Sequence, residues 1–128
     1  MIQIERNQKD QYTTVRLANE KLDATISSDL KAYFVTMSQE GIRNVIFDMS
    51  AVRYSDSSGL SAILVGNRLC QELQGSFVLC GLSEHVFKLI RISQLDTVLN
   101  IVPTMEEAAD LVMFNEIENQ LRSESPEN

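Results

Sequence analysis

Two short runs, Val45-Ile46-Phe47 and Phe77-Val78-Leu79, constrain the fold more than any other feature of the chain. Successive side chains of a strand point to opposite faces, so three consecutive large apolar residues require both faces to be covered. Such strands belong to a helix-flanked, largely parallel sheet. With their flanks these runs cover 44–49 and 77–82, and further apolar, β-branched runs at 1–5, 12–17 and 98–102 bring the strand candidates to five. The first two are separated by the polar stretch 6–11, with Asn7 and Asp10, which suits an antiparallel hairpin.

The segments between the later strands have helical period. Leu30, Phe34, Val35 and Met37 follow the cap candidates Ser27 and Ser28 and stop at Gly41. Leu60, Ile63, Leu64, Cys70 and Leu73 form a stripe after Ser57-Ser58-Gly59 and end before Gly75. Ser83 precedes a short third helix with Val86, Phe87, Leu89 and Ile90, and Thr104 with Glu107 makes a capping box for a long fourth. The fourth stripe runs through Met105, Ala108, Ala109, Val112, Met113 and Ile117 towards Leu121, and residues 123–128 are polar and acidic. Strands alternating with helices after residue 40 predict right-handed parallel crossovers. The expected fold class is α/β: one domain with a mixed sheet of about five strands and about four helices. The domain is expected over 1–113, with 114–128 a helix extension and polar tail.

Charge and composition narrow the function. With 18 acidic against 11 basic residues the formal charge is −7, which argues against nucleic acid or an anionic membrane as partner and favours a basic protein surface. No apolar run reaches the roughly 20 residues of a membrane span, and residues 1–20 are too polar for a secretory leader, so a cytoplasmic chain is expected. Cys70 and Cys80 lack C-x-x-C spacing and read as buried free thiols; with His85 they also lack metal-ligand spacing. No phosphate-loop, dinucleotide or nucleophile-elbow motif occurs, and His85, the only histidine, has no recognisable catalytic partner. Neither a cofactor nor enzymatic activity is expected.

The informative segment runs from Val45 through Asp48 and Asp56-Ser57-Ser58-Gly59 to Leu60, a buried strand, a polar loop and a helix start. A helix entrance presents unpaired N–H groups and the positive end of the dipole, so carboxylates, hydroxyls or a phosphate are favoured there. Taken alone, the tetrapeptide reads as a cap, with Ser57 or Ser58 as the capping residue.

In this context the sequence resembles the STAS domain family of anti-sigma factor antagonists, which carry Asp-Ser-Ser-Gly-Leu at the start of the second helix. The resemblance covers residues 10–113; its other marks are Leu22-Asp23, Ile46-Phe47-Asp48 and Ser93-Gln94-Leu95-Asp96. It implies that Ser57 is phosphorylated by an anti-sigma factor that is itself a serine kinase, and that a metal-dependent serine phosphatase reverses the step. The unmodified protein would bind the anti-sigma factor and free the sigma factor, and the phosphorylated form would let go. It further places Asp23 near the partner-binding face, although Asp23 equally suits a turn cap before the first helix. Asp56 lies beside the modified serine, Ser58 is expected to orient the loop, and Gly59 to let a kinase or partner backbone come close. The chain departs from the family at Ala18-Asn19-Glu20-Lys21, one residue longer and without the usual glycine, where Asn19 is expected to take a left-handed turn. Gln94 also stands where glycine is common, and the chain past Phe114 exceeds the usual domain end. The rival expectation keeps the fold and makes the chain a STAS subunit of a membrane (phospholipid) transport complex or a stress-signalling scaffold. The helix over 105–121 is expected to pack within a monomer with a solvated end, the alternative being a weak dimer.

Overall fold

A computed structural model describes residues 1–123; of the polar tail expected over 123–128, residues 124–128 lie outside the described residues. The elements are β1 (Ile4–Gln8), β2 (Thr13–Leu17), β3 (Lys21–Leu22), α1 (Ser27–Gln39), β4 (Val45–Asp48), β5 (Tyr54–Ser55), α2 (Ser57–Glu72), β6 (Phe77–Cys80), α3 (Glu84–Ile92), a single 3-10 turn (Leu95–Thr97), β7 (Asn100–Val102) and α4 (Met105–Ser123). The five-stranded sheet runs in the order β1-β2-β4-β6-β7, antiparallel only at the β1–β2 hairpin.

Alternation along the doubly covered strands sorts the core into two layers. Val45 and Phe47 of β4, with Phe77 and Leu79 of β6, face α1, α2 and α3, where Phe34 meets the Phe47 and Phe77 rings edge-on at 5.4 and 5.5 Å. Ile46, Val78 and Cys80 face the other way, against Ala108 and Val112 of α4. Both cysteines are free and buried, as expected, and burial pushes their thiols up to about 12 for Cys70 and about 11 for Cys80.

Several boundaries differ from the sequence reading for identifiable reasons. β1 extends to Gln8, because an exposed edge strand needs a partner on one side only and carries no apolar signal; Arg6, Asn7 and Gln8 pair with Val15, Thr14 and Thr13. β7 begins only at Asn100, since the preceding residues follow the 3-10 turn. Neither Ser27 nor Ser28 caps α1: Ile26 holds that position without a side-chain bond, and the Asp23 carbonyl accepts the Ile26 and Ser27 N–H groups instead. Asn19 is not left-handed; its side chain accepts from the Gln3 N–H at 2.7 Å and donates to the Met1 carbonyl at 2.9 Å, tying down the N-terminal strand. Gln94, standing in for a glycine, does adopt positive φ (61°).

Thr104 Oγ1 accepts the Glu107 N–H at 3.1 Å, the predicted capping contact of α4. The helix continues without a break past residue 113. There the buried Glu116 accepts from Arg43 at 2.7 Å and from Asn44 Nδ2 at 3.0 Å, while Asn44 Oδ1 accepts the Ser76 N–H at 2.9 Å. These bonds fasten the helix extension to the starts of β4 and β6. Phe114, Ile117 and Leu121 are exposed in the single chain.

Candidate functional site

The site is assembled by two strands too short to be seen in the sequence. β3 and β5 pair in parallel, Lys21 with Tyr54 and Leu22 with Ser55, and the Asp56 N–H donates to the Leu22 carbonyl at 3.3 Å. Asp23 and Asp56, distant in the chain, thereby occupy the next register position side by side, where the sheet hands over to α1 and α2. The register also explains Gly59. A Cβ there would lie 2.5 Å from the Leu22 carbonyl oxygen and collide with Ser55 Oγ. The expectation that Gly59 admits a partner's backbone is corrected: the glycine is buried, and the close approach is to the chain's own β3.

Capping also differs from the expectation that Ser57 or Ser58 is the cap. Asp56 holds that position in extended backbone (φ −114°), and its Oδ1 accepts from the Gly59 N–H at 3.1 Å and from the Ser58 hydroxyl at 2.6 Å. The Ser58 hydroxyl holds the Asp56 carboxyl below the usual carboxylate range, helped by the N–H groups of Gly59, Ser58 and Ala24 against an opposing effect of burial. The Ser58 hydroxyl is thus engaged by Asp56 and is not itself the cap. Ser55 is buried, with its hydroxyl directed at the Asp56 carbonyl at 3.1 Å.

Ser57 alone of the three serines is exposed, and its hydroxyl has no hydrogen-bond partner among the described residues. It is the first residue of a 16-residue helix. The positive end of that helix favours added negative charge, so a phosphoryl group on Ser57 is compatible with the fold. Asp23 is half-buried, and its Oδ1 accepts from Thr25 at both the N–H (3.0 Å) and the hydroxyl (2.6 Å), which is the turn-capping role.

An aromatic ledge next to this entrance had no signal in the sequence. Tyr54, 43% exposed, stacks on His85 with ring centroids 5.2 Å apart, and the Ser83 hydroxyl that caps α3 also reaches the Arg53 carbonyl at 3.4 Å. Phe87 follows on the same helix, with the Arg91 guanidinium 5.9 Å from its ring. Among the described residues no group of three or more His, Cys, Asp or Glu could hold a metal ion, and no helix is long and apolar enough to cross a membrane.

Fold and site together define a small α/β module that presents a serine hydroxyl next to the capping Asp56 at a helix entrance. A family model of the STAS domain matches residues 3–108. The chain belongs to the STAS domain family. Its relatives include BtrV of Bordetella bronchiseptica, named as an anti-sigma factor antagonist, 29% identical over 83 residues that make up 65% of this chain and 72% of that protein. The anti-sigma-B factor antagonist of Staphylococcus aureus is 23% identical over 100 residues, 78% of this chain and 92% of the relative. Among solved structures, the Bacillus antagonist SpoIIAA in its unphosphorylated form superposes with a TM-score of 0.73 at 23% identity, covering 87% of this chain and 96% of that one. Its phosphorylated form gives 0.65 at 25% identity over 88% and 99%.

Proposed function

We propose that this protein is an anti-sigma factor antagonist working by partner switching. Unmodified, it binds an anti-sigma factor with serine kinase activity and so releases a sigma factor for transcription; the bound kinase phosphorylates Ser57, the complex separates, and a serine phosphatase resets the protein. It acts in the cytoplasm as a monomer, and Asp23, Asp56 and Ser58 shape the surface that the partner meets. The observation that carries this reading is the state of Ser57: exposed, unpartnered among the described residues and held at the first turn of α2, while both neighbouring serines are engaged inside the domain.

The physics of the switch is local. A phosphoryl group adds about −1.5 to −2 charges at pH 7 beside Asp56. Inside a docked interface that charge and its bulk oppose binding through the cost of removing them from water. A shift of roughly 3 kcal/mol weakens binding more than a hundredfold without any change of fold. The test pairs the purified protein with an anti-sigma kinase encoded beside it, with ATP and phosphopeptide mass spectrometry, and measures complex formation by calorimetry. Phosphate on Ser57, with Ser57→Ala bound whether or not ATP is present and Ser57→Asp bound more than a hundredfold more weakly, is the expected result. Equal affinities of the two variants, or co-purification with an ATP-binding transporter subunit in place of a kinase, would overturn the reading.

A further inference from the structure

At the opposite end of α2 from Ser57, the starts of β6 and β7 open onto a cleft of about 560 Å³ between the C-terminal halves of α2 and α4. Six carboxamides line it: Asn67, Gln71, Gln74, Asn100, Asn115 and Asn119. Three of them are held in place by their amide nitrogens: Asn115 donates to the Ser76 hydroxyl at 3.0 Å, Asn119 to the Gln74 carbonyl at 3.1 Å and Asn100 to the Phe77 carbonyl at 3.4 Å. Their side-chain oxygens accept nothing from the described residues.

Asn67 is different. It is only 5% exposed, yet neither its amide oxygen nor its nitrogen has a partner among the described residues. Among the described residues no fully enclosed polar side-chain atom lacks a partner, so the small exposed remainder of Asn67 includes this amide, on the wall of the cleft. The cleft is the one side from which this carboxamide can be met, and leucine shares its branched shape without its polar atoms. Water meets the group when the cleft is free, and a ligand that answers both of its polar atoms would replace that water.

The chemistry of the walls selects the class of molecule. α2 and α4 both direct their C-terminal ends to this region, and those ends disfavour anions. Among the described residues the charged side chains in the lining, Glu118 and Arg122, are of opposite sign, so this lining makes no net demand for charge. A carboxamide sets a donor beside an acceptor, and the group that answers both at one atom is a hydroxyl; neighbouring hydroxyls answer several amides at once. We propose that this cleft binds a neutral, polyhydroxylated small molecule of monosaccharide size, with Asn67 as its central contact. The volume falls within the range of small-molecule sites. The proposal is independent of the reading of Ser57.

The test uses the full chain and saturation-transfer NMR with glucose, mannose and myo-inositol, with adenosine and uridine as contrast, followed by calorimetric titration of whichever compound binds. At least one sugar or polyol is expected to bind saturably. Asn67→Leu is expected to weaken it by about tenfold, as losing one well-made hydrogen bond does. Its thermal midpoint stays level or rises, while Ser57→Ala binds the compound unchanged. Should Asn67→Leu fail to fold, Gln71→Ala, at an exposed cleft position, carries the test with a loss of roughly threefold. Absence of saturable sugar or polyol binding, binding by the nucleosides only, or affinity indifferent to the cleft variants would overturn the proposal.

Discussion

Replacing Asp56 with alanine removes the acceptor that organises the entrance of α2. The lost carboxylate takes the Gly59 N–H at 3.1 Å and the Ser58 hydroxyl at 2.6 Å. Loss of an N-cap acceptor costs about 1 kcal/mol, and removing a negative charge from the positive end of a helix adds roughly 0.5. The freed Ser58 hydroxyl turns to water, because it is only half-buried, so the total is about 1.5 kcal/mol. For a domain of this size that lowers the melting midpoint by about 5 °C. Asp56→Asn keeps the acceptor and loses only the charge, for a fall of about 2 °C. The pH dependence has a definite sign. The Asp56 carboxyl titrates below its ordinary value in the folded state. Its stabilisation is therefore fully present above the unfolded value of about 3.9 and disappears as pH falls through the depressed folded value. The deficit of Asp56→Ala should stay constant from neutrality to about pH 5 and shrink below about pH 4. Circular-dichroism melts between pH 3 and 7 measure this directly. Equal midpoints for Asp56→Ala and the parent at pH 7, or a deficit that grows on acidification, would refute the capping argument.

Two further outcomes follow from the packing. Glu116→Ala strips the acceptor from Arg43 and Asn44, but Asn44 Nδ2 keeps the Gln11 carbonyl at 3.0 Å and Arg43 keeps that of Gln74 at 3.2 Å. The expected cost is therefore about 2 kcal/mol, below that of breaking a fully buried pair; a urea titration reads it, and hydrogen exchange should accelerate in α4 beyond residue 113 while β4 stays protected. The thiols of Cys70 and Cys80, raised by burial to about 12 and about 11, should resist an aromatic disulfide reagent at pH 7 in the folded protein and both react once it is unfolded; rapid labelling of the native protein would show that the core opens there.

How far the sequence revealed the fold depended on burial. Strands covered on both faces announce themselves, so β4 and β6 and the parallel order around them were legible from Val45-Ile46-Phe47 and Phe77-Val78-Leu79. Edge and accessory strands carry no such mark: the polar half of β1 has the composition of a turn, and β3 and β5, two residues each, are too short for any pattern. Polar anchors were equally silent, since nothing in Arg43, Asn44 or Glu116 taken singly says that they meet.

The site shows the same division more sharply. Composition and spacing brought Asp56-Ser57-Ser58-Gly59 to a helix entrance, but they could not decide which hydroxyl stays free, because Ser57 and Ser58 are equally good capping residues on paper. The decision is made by the pairing of β3 with β5. That pairing aligns Asp23 with Asp56 and leaves room for no side chain at position 59. It also turns Ser55 inward, while Ser58 is held on the Asp56 carboxylate. Ser57 is accessible because every neighbouring polar group has been given internal work. On the proposed function, a change that loosens β3 from β5 should therefore disturb modification of Ser57 without touching the serine. Leu22→Ala, which empties a fully buried position beneath the entrance, is the variant in which Ser57 phosphorylation by the kinase should slow while the hydroxyl itself remains.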